Sequence, residues 1–196
     1  MLDRARARWA GSGPPGRAGT VSLLEHDLTT LELSDRFGLV FVALNSLLLL
    51  DGRAAQERAL SVIRAHLAPG GRAVVDVWLP AAEDLVLYDG RRVLEWVRTD
   101  AETGERVAKT TVALYEPTTR RATLTTTFDA ERAEGDGLAA RRIIREDVIT
   151  FIGKDELLAA AARAGLEPVT LAGDYHLSPW SDASERVVLI CRAKAA

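Results

Sequence analysis

Thiols, lysines and long apolar runs are scarce in this sequence, and each shortage excludes something. A single cysteine, Cys191, excludes an intrachain disulfide, and its place in an apolar run marks it as a core thiol. The histidines, His26, His66 and His176, stand too far apart to form a metal-ligand spacing. Lysine occurs only at Lys109, Lys154 and Lys194. With a net charge of −3, there is no electrostatic case for nucleic acid or an anionic membrane surface as a partner. The longest apolar run, Leu39 to Leu50, is interrupted by Asn45-Ser46 and is too short to span a bilayer. The early arginines are followed by no apolar stretch, so no secretion signal is legible and a cytoplasmic location is the default expectation. There is also no GxSxG, no P-loop and no glycine-rich turn leading from a strand into a helix. The usual fingerprints of serine hydrolases, nucleotide hydrolases and dinucleotide enzymes are therefore missing.

What is present suits one domain with a substantial core, at 196 residues and 47% hydrophobic content. The most informative stretch runs from Arg36 to Val77. It reads as a strand (Phe37 to Ala43), the polar break Asn45-Ser46, and a helix from about Arg53 to Leu67 with Ala59, Leu60, Ile63 and Leu67 on one stripe. The turn Pro69-Gly70-Gly71 and a second strand, Arg72 to Val77, follow. Two strands joined by a crossover helix pair in parallel, so the carboxyl end of the first opens where ligands bind in open α/β sheets. Before this unit, Met1 to Ala10 reads as a helix end stopped by a Gly-Pro cluster. Thr20 to Glu25 reads as a short strand with His26-Asp27-Leu28-Thr29 at its carboxyl end. From Arg91 the texture changes. Arg91 to Thr99, Arg106 to Tyr115, Arg121 to Asp129 and Ala139 to Thr150 read as the strands of an antiparallel meander. Then come a helix (Lys154 to Ala164), a strand (Leu166 to Ala172), a loop (Tyr175 to Ser184) and a core strand (Arg186 to Cys191).

The ordered blocks LLEHDL, FGLVFVALNSLLLL, HLAPGGRAVVDVWLP and AGLEPVTLAGDY resemble the second half of class I S-adenosylmethionine-dependent methyltransferases. The branch they resemble carries a small β-sheet insert before the last two core strands, and includes glycine N-methyltransferase and the amino-sugar N,N-dimethyltransferases. The resemblance extends from Met1 to Cys191. It implies an α/β fold with a Rossmann-like, mostly parallel sheet, in which residues 1–90 and 151–196 form a partial core. Residues 91–150 would be the antiparallel insert on the substrate side. It implies S-adenosyl-L-methionine as cofactor and a small-molecule acceptor methylated at nitrogen or oxygen. MLDRARAR resembles the helix that follows the family's second strand. On that reading the first strand, glycine-rich loop, first helix and second strand are missing, more than one βαβ unit of roughly 30 residues. A misplaced start or a shortened gene is the simplest explanation, a degenerate family member the other. The strand ending at Ala43 would then have an open edge, activity would be impaired, and a homodimer formed through that edge would not by itself be native biology.

The resemblance and the residues themselves point to site candidates, most with a plainer alternative. Asp27 would meet the adenine amino group, with Leu28 offering its amide, or else Asp27 caps the next turn. Ala43 and Leu44 would line the methionine end of the cofactor. Asn45 would face the transferred methyl group and the substrate, or else simply turns the chain. A family histidine three to four positions on is replaced here by Leu49, so its role is lost. Trp78 would be an aromatic wall or a core cover. Tyr175, His176 and Trp180 lie in the loop near the substrate entrance, and His176 would be a proton acceptor there or an ordinary surface histidine. Arg142, with Arg141 and Arg145, would clamp a carboxylate or be a solvated charge. His66 would interact with its helix's C-terminus. Two other classes compete: a non-catalytic binding or partner protein on a degenerate methyltransferase scaffold, and a nicotinamide-dependent reductase. The PGG turn and the late antiparallel insert disfavour the reductase.

Overall fold

The computed structural model describes residues 2–11, 21–101, 103–134 and 137–194. In chain order the elements are α1 (Leu2–Gly11), β1 (Phe37–Val42), α2 (Gly52–Ala65), β2 (Leu67–Trp78), α3 (Ala82–Val86), β3 (Asp89–Thr99), β4 (Arg106–Glu116), β5 (Arg121–Glu134), β6 (Gly137–Thr150), α4 (Lys154–Arg163), β7 (Leu166–Ala172) and β8 (Arg186–Ala193). A 3-10 turn, Ser46–Leu49, links β1 to α2.

The strands form two sheets of four, ordered β1-β2-β8-β7 and β3-β4-β5-β6. In the first, β1 and β2 are parallel, as their crossover helix requires, while β8 runs antiparallel to both β2 and β7. Alternation along each strand separates two faces. Val42, Ala73, Val75, Val77, Val187, Leu189 and Cys191 point to one side and join Ala59, Leu60 and Ile63 of α2 and Leu157 and Ala161 of α4 in a single core. The α2 stripe supplies its share because 3–4 spacing keeps those residues on one face. Burial pushes the Cys191 thiol up to about 11, which leaves it protonated and unreactive. On the opposite face Leu39 is 57% and Phe41 64% exposed, and no strand pairs with the outer edge of β1 among the described residues.

The turn into β2 shows why two glycines stand there. Gly70 sits at φ +77°, and a Cβ on Gly71 would lie 2.8 Å from the Phe37 carbonyl oxygen and 3.0 Å from that of Ala68. This close approach lets β2 start at Leu67, earlier than the sequence pattern indicates, with an irregular register opposite Phe37 and Leu39. His66 also closes the end of α2. Its Nδ1 lies 2.7 Å from the Val62 carbonyl oxygen, and its Nε2 accepts the Leu33 N–H at 2.8 Å, so the ring carries its proton on Nδ1.

The expected strand from Thr20 to Glu25 is not formed. Residues 21–27 run without a ladder, and Thr20 lies outside the described residues. A strand is stable only beside a partner, and among the described residues no strand pairs with Val21 to Glu25. The β3-β4-β5-β6 meander matches expectation, all three pairings being antiparallel.

Gln56 ties the two sheets together from inside. It is fully buried, with Nε2 donating to the carbonyl oxygens of Thr150 (2.9 Å) and Leu47 (3.3 Å) while Oε1 accepts from Arg53 at 3.1 Å. Ion pairs from Arg121 to Asp51 and from Arg120 to Glu156 add surface contacts of lesser weight. Replacing Gln56 by leucine keeps the volume but takes the side-chain donor from the Thr150 carbonyl and leaves the Leu47 carbonyl with only the Leu50 N–H at 3.4 Å. The expected cost is about 2–3 kcal/mol in denaturant unfolding; a loss under about 0.5 kcal/mol would contradict this assignment.

Candidate functional site

The candidate site lies at the carboxyl end of β1, where the backbone departs from regular geometry. Leu44 and Asn45 both take left-handed conformations, at φ 57° and 62°. The Ser46 N–H closes back on the Ala43 carbonyl at 3.2 Å, and the Ser46 hydroxyl donates to the same oxygen at 2.7 Å. Two successive positive φ values inside such a closure make a type I′ turn, normally the province of Asn and Gly. Leucine there is strained and also 80% exposed. Strain of this sort on an exposed leucine singles out the turn as a place to look for function.

Asn45 does more than turn the chain. Its Oδ1 accepts the Trp78 N–H at 2.7 Å, clamping the end of β1 to the end of β2. The indole of Trp78 is half-buried, 5.8 Å edge-to-face from Phe151 and 6.5 Å from Tyr88, and so faces the joint between the two sheets.

One register step further in, Asp76 is a carboxylate only 2% exposed. Such a charge requires partners. Arg186 donates to its Oδ2 at 2.5 Å and Tyr175 donates its hydroxyl to the same atom at 2.7 Å. Arg186 also donates to the Tyr175 oxygen at 2.9 Å and places its guanidinium 4.7 Å from the centre of the Tyr175 ring. The hydrogen bond to Asp76 raises the Tyr175 phenol above the ordinary tyrosine range.

The loop between β7 and β8 is held by its own bonds. Asp174 accepts from the amides of His176 (2.8 Å) and Ser178 (3.0 Å), and the bonds from Ser178 keep its carboxyl below the usual range. The His176 side chain is exposed. Trp180 packs on the core beneath Lys154, whose ammonium lies 4.9 Å from the ring centre, and its indole N–H is buried without a partner among the described residues.

Other sequence-selected residues are placed elsewhere. Asp27 caps its own turn, Oδ1 accepting from the Thr29 amide and hydroxyl, both at 2.7 Å. Those bonds, the amide's first, hold its carboxyl below the usual range, and no hydrogen bond joins it to Asn45 among the described residues. Leu28 packs on the core edge. Arg142 is paired with Asp129 at 2.5 Å, and Arg141 with Glu105, on the surface of the second sheet. Arg142 stands eight residue steps from Thr150 along extended β6, about 26 Å, so Arg142 does not join the others. The structure thus brings together Asn45, Trp78 and Tyr175. It adds Asp76 and Arg186, which the sequence reading did not assign. An aspartate inside the apolar run Ala73 to Trp78 was the signal that a buried partner must exist.

No family model matches the sequence, and no curated protein does. Solved structures do. An S-adenosylmethionine-dependent methyltransferase from Clostridium acetobutylicum superposes with a TM-score of 0.72 at 14% identity, over 98% of this chain and 70% of that one. The CcbJ methyltransferase from Streptomyces caelestis gives 0.70 at 24% identity, over 100% and 71%. CalS10, an amino pentose methyltransferase from Micromonospora echinaspora, gives 0.66 at 24% identity, over 98% and 70%. This is the Rossmann-like fold of S-adenosylmethionine-dependent methyltransferases. On the methyltransferase fold, the strained turn after β1 and the Asp76 cluster share the carboxyl edge, the side on which open α/β sheets bind ligands.

If the turn is held strained, glycine at its first position should relieve it. Leu44→Gly is expected to stabilise the protein by about 0.5–1 kcal/mol in thermal or denaturant unfolding, since a left-handed leucine costs about 1–2 kcal/mol and its side chain buries little. A loss of more than about 1 kcal/mol would show that the side chain, and not the backbone, governs this position.

Proposed function

We propose that the chain is an S-adenosylmethionine-dependent methyltransferase acting on a small-molecule nitrogen or oxygen nucleophile, and that these 196 residues alone bind the cofactor weakly. The observation that carries the reading is the strained turn at Leu44-Asn45, clamped to Trp78 at the carboxyl edge of a methyltransferase fold. The donors at hand fit two ends of the cofactor. Asp27 is ionised and has Oδ2 free of the Thr29 donors, so with Leu28 it would take the adenine end, an amine donor meeting a carboxylate acceptor. Ala43, Leu44 and Asn45 would take the methionine end. When bound, the cofactor supplies an electrophilic methyl group on a positively charged sulfur. The protein's own contribution is positioning and exclusion of water. The Asn45 Oδ1 is committed to Trp78, so its Nδ2 group is what remains to orient an acceptor. Trp78 and Tyr175 would wall the acceptor side, with the β3–β6 sheet alongside. His176 is the exposed imidazole of that loop and would take a proton only from an acceptor that arrives protonated. The amino-sugar and glycopeptide acceptors named for several similar structures support a small polar acceptor.

Weak cofactor binding is expected because no strand pairs with the outer edge of β1 among the described residues, leaving one side of the turn without support. The same open edge and the exposed Leu39 and Phe41 favour a second reading, a non-catalytic partner protein on this fold.

Titration with S-adenosylhomocysteine, read by amide chemical shifts, tests the first reading. A dissociation constant weaker than about 0.1 mM is expected, above −5.5 kcal/mol, with the largest shifts at Leu28, Leu44 and Asn45. Shifts confined to other residues, or none at millimolar ligand, would contradict it.

A further inference from the structure

The cluster of Asp76, Tyr175 and Arg186 has a role that neither the fold nor the cofactor reading assigns. Asp76 lies near the carboxyl end of β2 and pairs with Val188 of β8, while Arg186 pairs with Trp78. Asp76, Trp78 and Arg186 therefore emerge on the same face, and Tyr175 reaches down to them from the loop between β7 and β8. The hydroxyl of Tyr175 is saturated: it donates to Asp76 at 2.7 Å and accepts from Arg186 at 2.9 Å. Nothing of the phenol's proton chemistry remains for a substrate. One ring face is taken by the guanidinium at 4.7 Å, yet the residue is 58% exposed, so the rest of the ring is presented outward.

We propose that Asp76 and Arg186 are positioning residues that fix Tyr175, and with it the loop from Gly173 to Glu185, as a rigid aromatic wall on the acceptor side of the crevice. This rests on the methyltransferase reading for the word acceptor, but the pinning itself does not. The buried carboxylate is the anchor: a 2% exposed charge needs partners in the interior, and Arg186 and Tyr175 are the two it has among the described residues. A cation on the far side of the ring lowers its affinity for a second cation. The wall thus suits the apolar or neutral face of an acceptor and disfavours a protonated amine packed against it. Such selection fits transfer to nitrogen, which requires the amine in its neutral, nucleophilic form.

The test uses the 196-residue chain with Tyr175→Phe, Arg186→Gln and Arg186→Lys. Amide hydrogen exchange is followed at Gly173, His176 and Ser178, with Val187 to Leu189 as internal reference. Tyr175→Phe keeps the ring and removes only the hydroxyl that bonds Asp76, leaving the Asp76–Arg186 pair in place, so it tests the pinning even if Arg186→Gln unfolds. In both substitutions the loop amides are expected to exchange about tenfold faster while the core amides are unchanged, and lysine should restore part of the protection. The second arm adds S-adenosylhomocysteine at millimolar concentration. Its induced shift at Asn45 should change in Tyr175→Phe while the shift at Leu28 does not. Unaltered loop exchange, or equal acceleration in loop and core, overturns the pinning. Equal effects at Asn45 and Leu28, or none at either, overturn its role in the crevice. If the unmodified chain shows no induced shifts at all, the methyltransferase reading fails, and the exchange arm still decides whether Asp76 and Arg186 hold the loop.

Discussion

Where β1 stops at Val42, the Trp78 N–H of the longer neighbouring strand still needs an acceptor, and the Asn45 side-chain carbonyl supplies it at 2.7 Å. A buried or half-buried amide left unpaired costs as much as a lost hydrogen bond, so the position of Asn45 is dictated by its neighbour. To reach Trp78, the chain must fold back within two residues of the strand's end, which forces Leu44 and Asn45 into left-handed backbone. The strained turn and the clamp are therefore one constraint seen from two sides. They set the rim at the carboxyl edge, and the remaining site features are arranged around it. Trp78 is pinned through its backbone, its ring is packed against Phe151, and Arg186 stands opposite it in register.

The second constraint is the asymmetry of the first sheet. One face buries Val75, Val77, Val187 and Leu189 beneath α2 and α4, while the other leaves Leu39 and Phe41 exposed beside a strand edge that no strand pairs with among the described residues. That second face is buried at Asp76, Val188 and Ala172, on the side of the loop between β7 and β8, and is open at the β1 side among the described residues. The carboxyl-edge rim is consequently held from the β2 and β8 side, by Asn45, Asp76 and Arg186, and from within by Gln56, whose amide reaches both the turn after β1 and the end of β6.

The fold was legible where periodicity and turn chemistry agreed. The parallel unit from Phe37 to Val77, the meander, and the strands of Leu166–Ala172 and Arg186–Ala193 were all visible in apolar runs and Gly or Pro punctuation. Of the strand expected from Thr20 to Glu25, Val21 to Glu25 form no ladder among the described residues, because strand propensity cannot substitute for a ladder partner, and partners are a tertiary property. At the site, Asn45 and Tyr175 could be picked out by resemblance, but what they bond to could not. Asp76 announced only that a buried charge needed company. That its company is Arg186 and Tyr175, each about 100 residues distant, depends on the pairing of β2 with β8. Arg142 failed to join the site for the converse reason: its neighbour across the ladder, Asp129, satisfies it locally.

The most direct measurement of this account is amide hydrogen exchange at Trp78 in the unmodified chain and in Asn45→Ala. With the side-chain acceptor in place, the Trp78 amide should be protected like the ladder amides of β2. In the alanine form it should exchange at least tenfold faster, while Val75 and Val77 remain protected. A Trp78 amide that exchanges equally in both forms would mean that Asn45 does not hold the two strand ends together, and the carboxyl-edge rim would lose its physical basis.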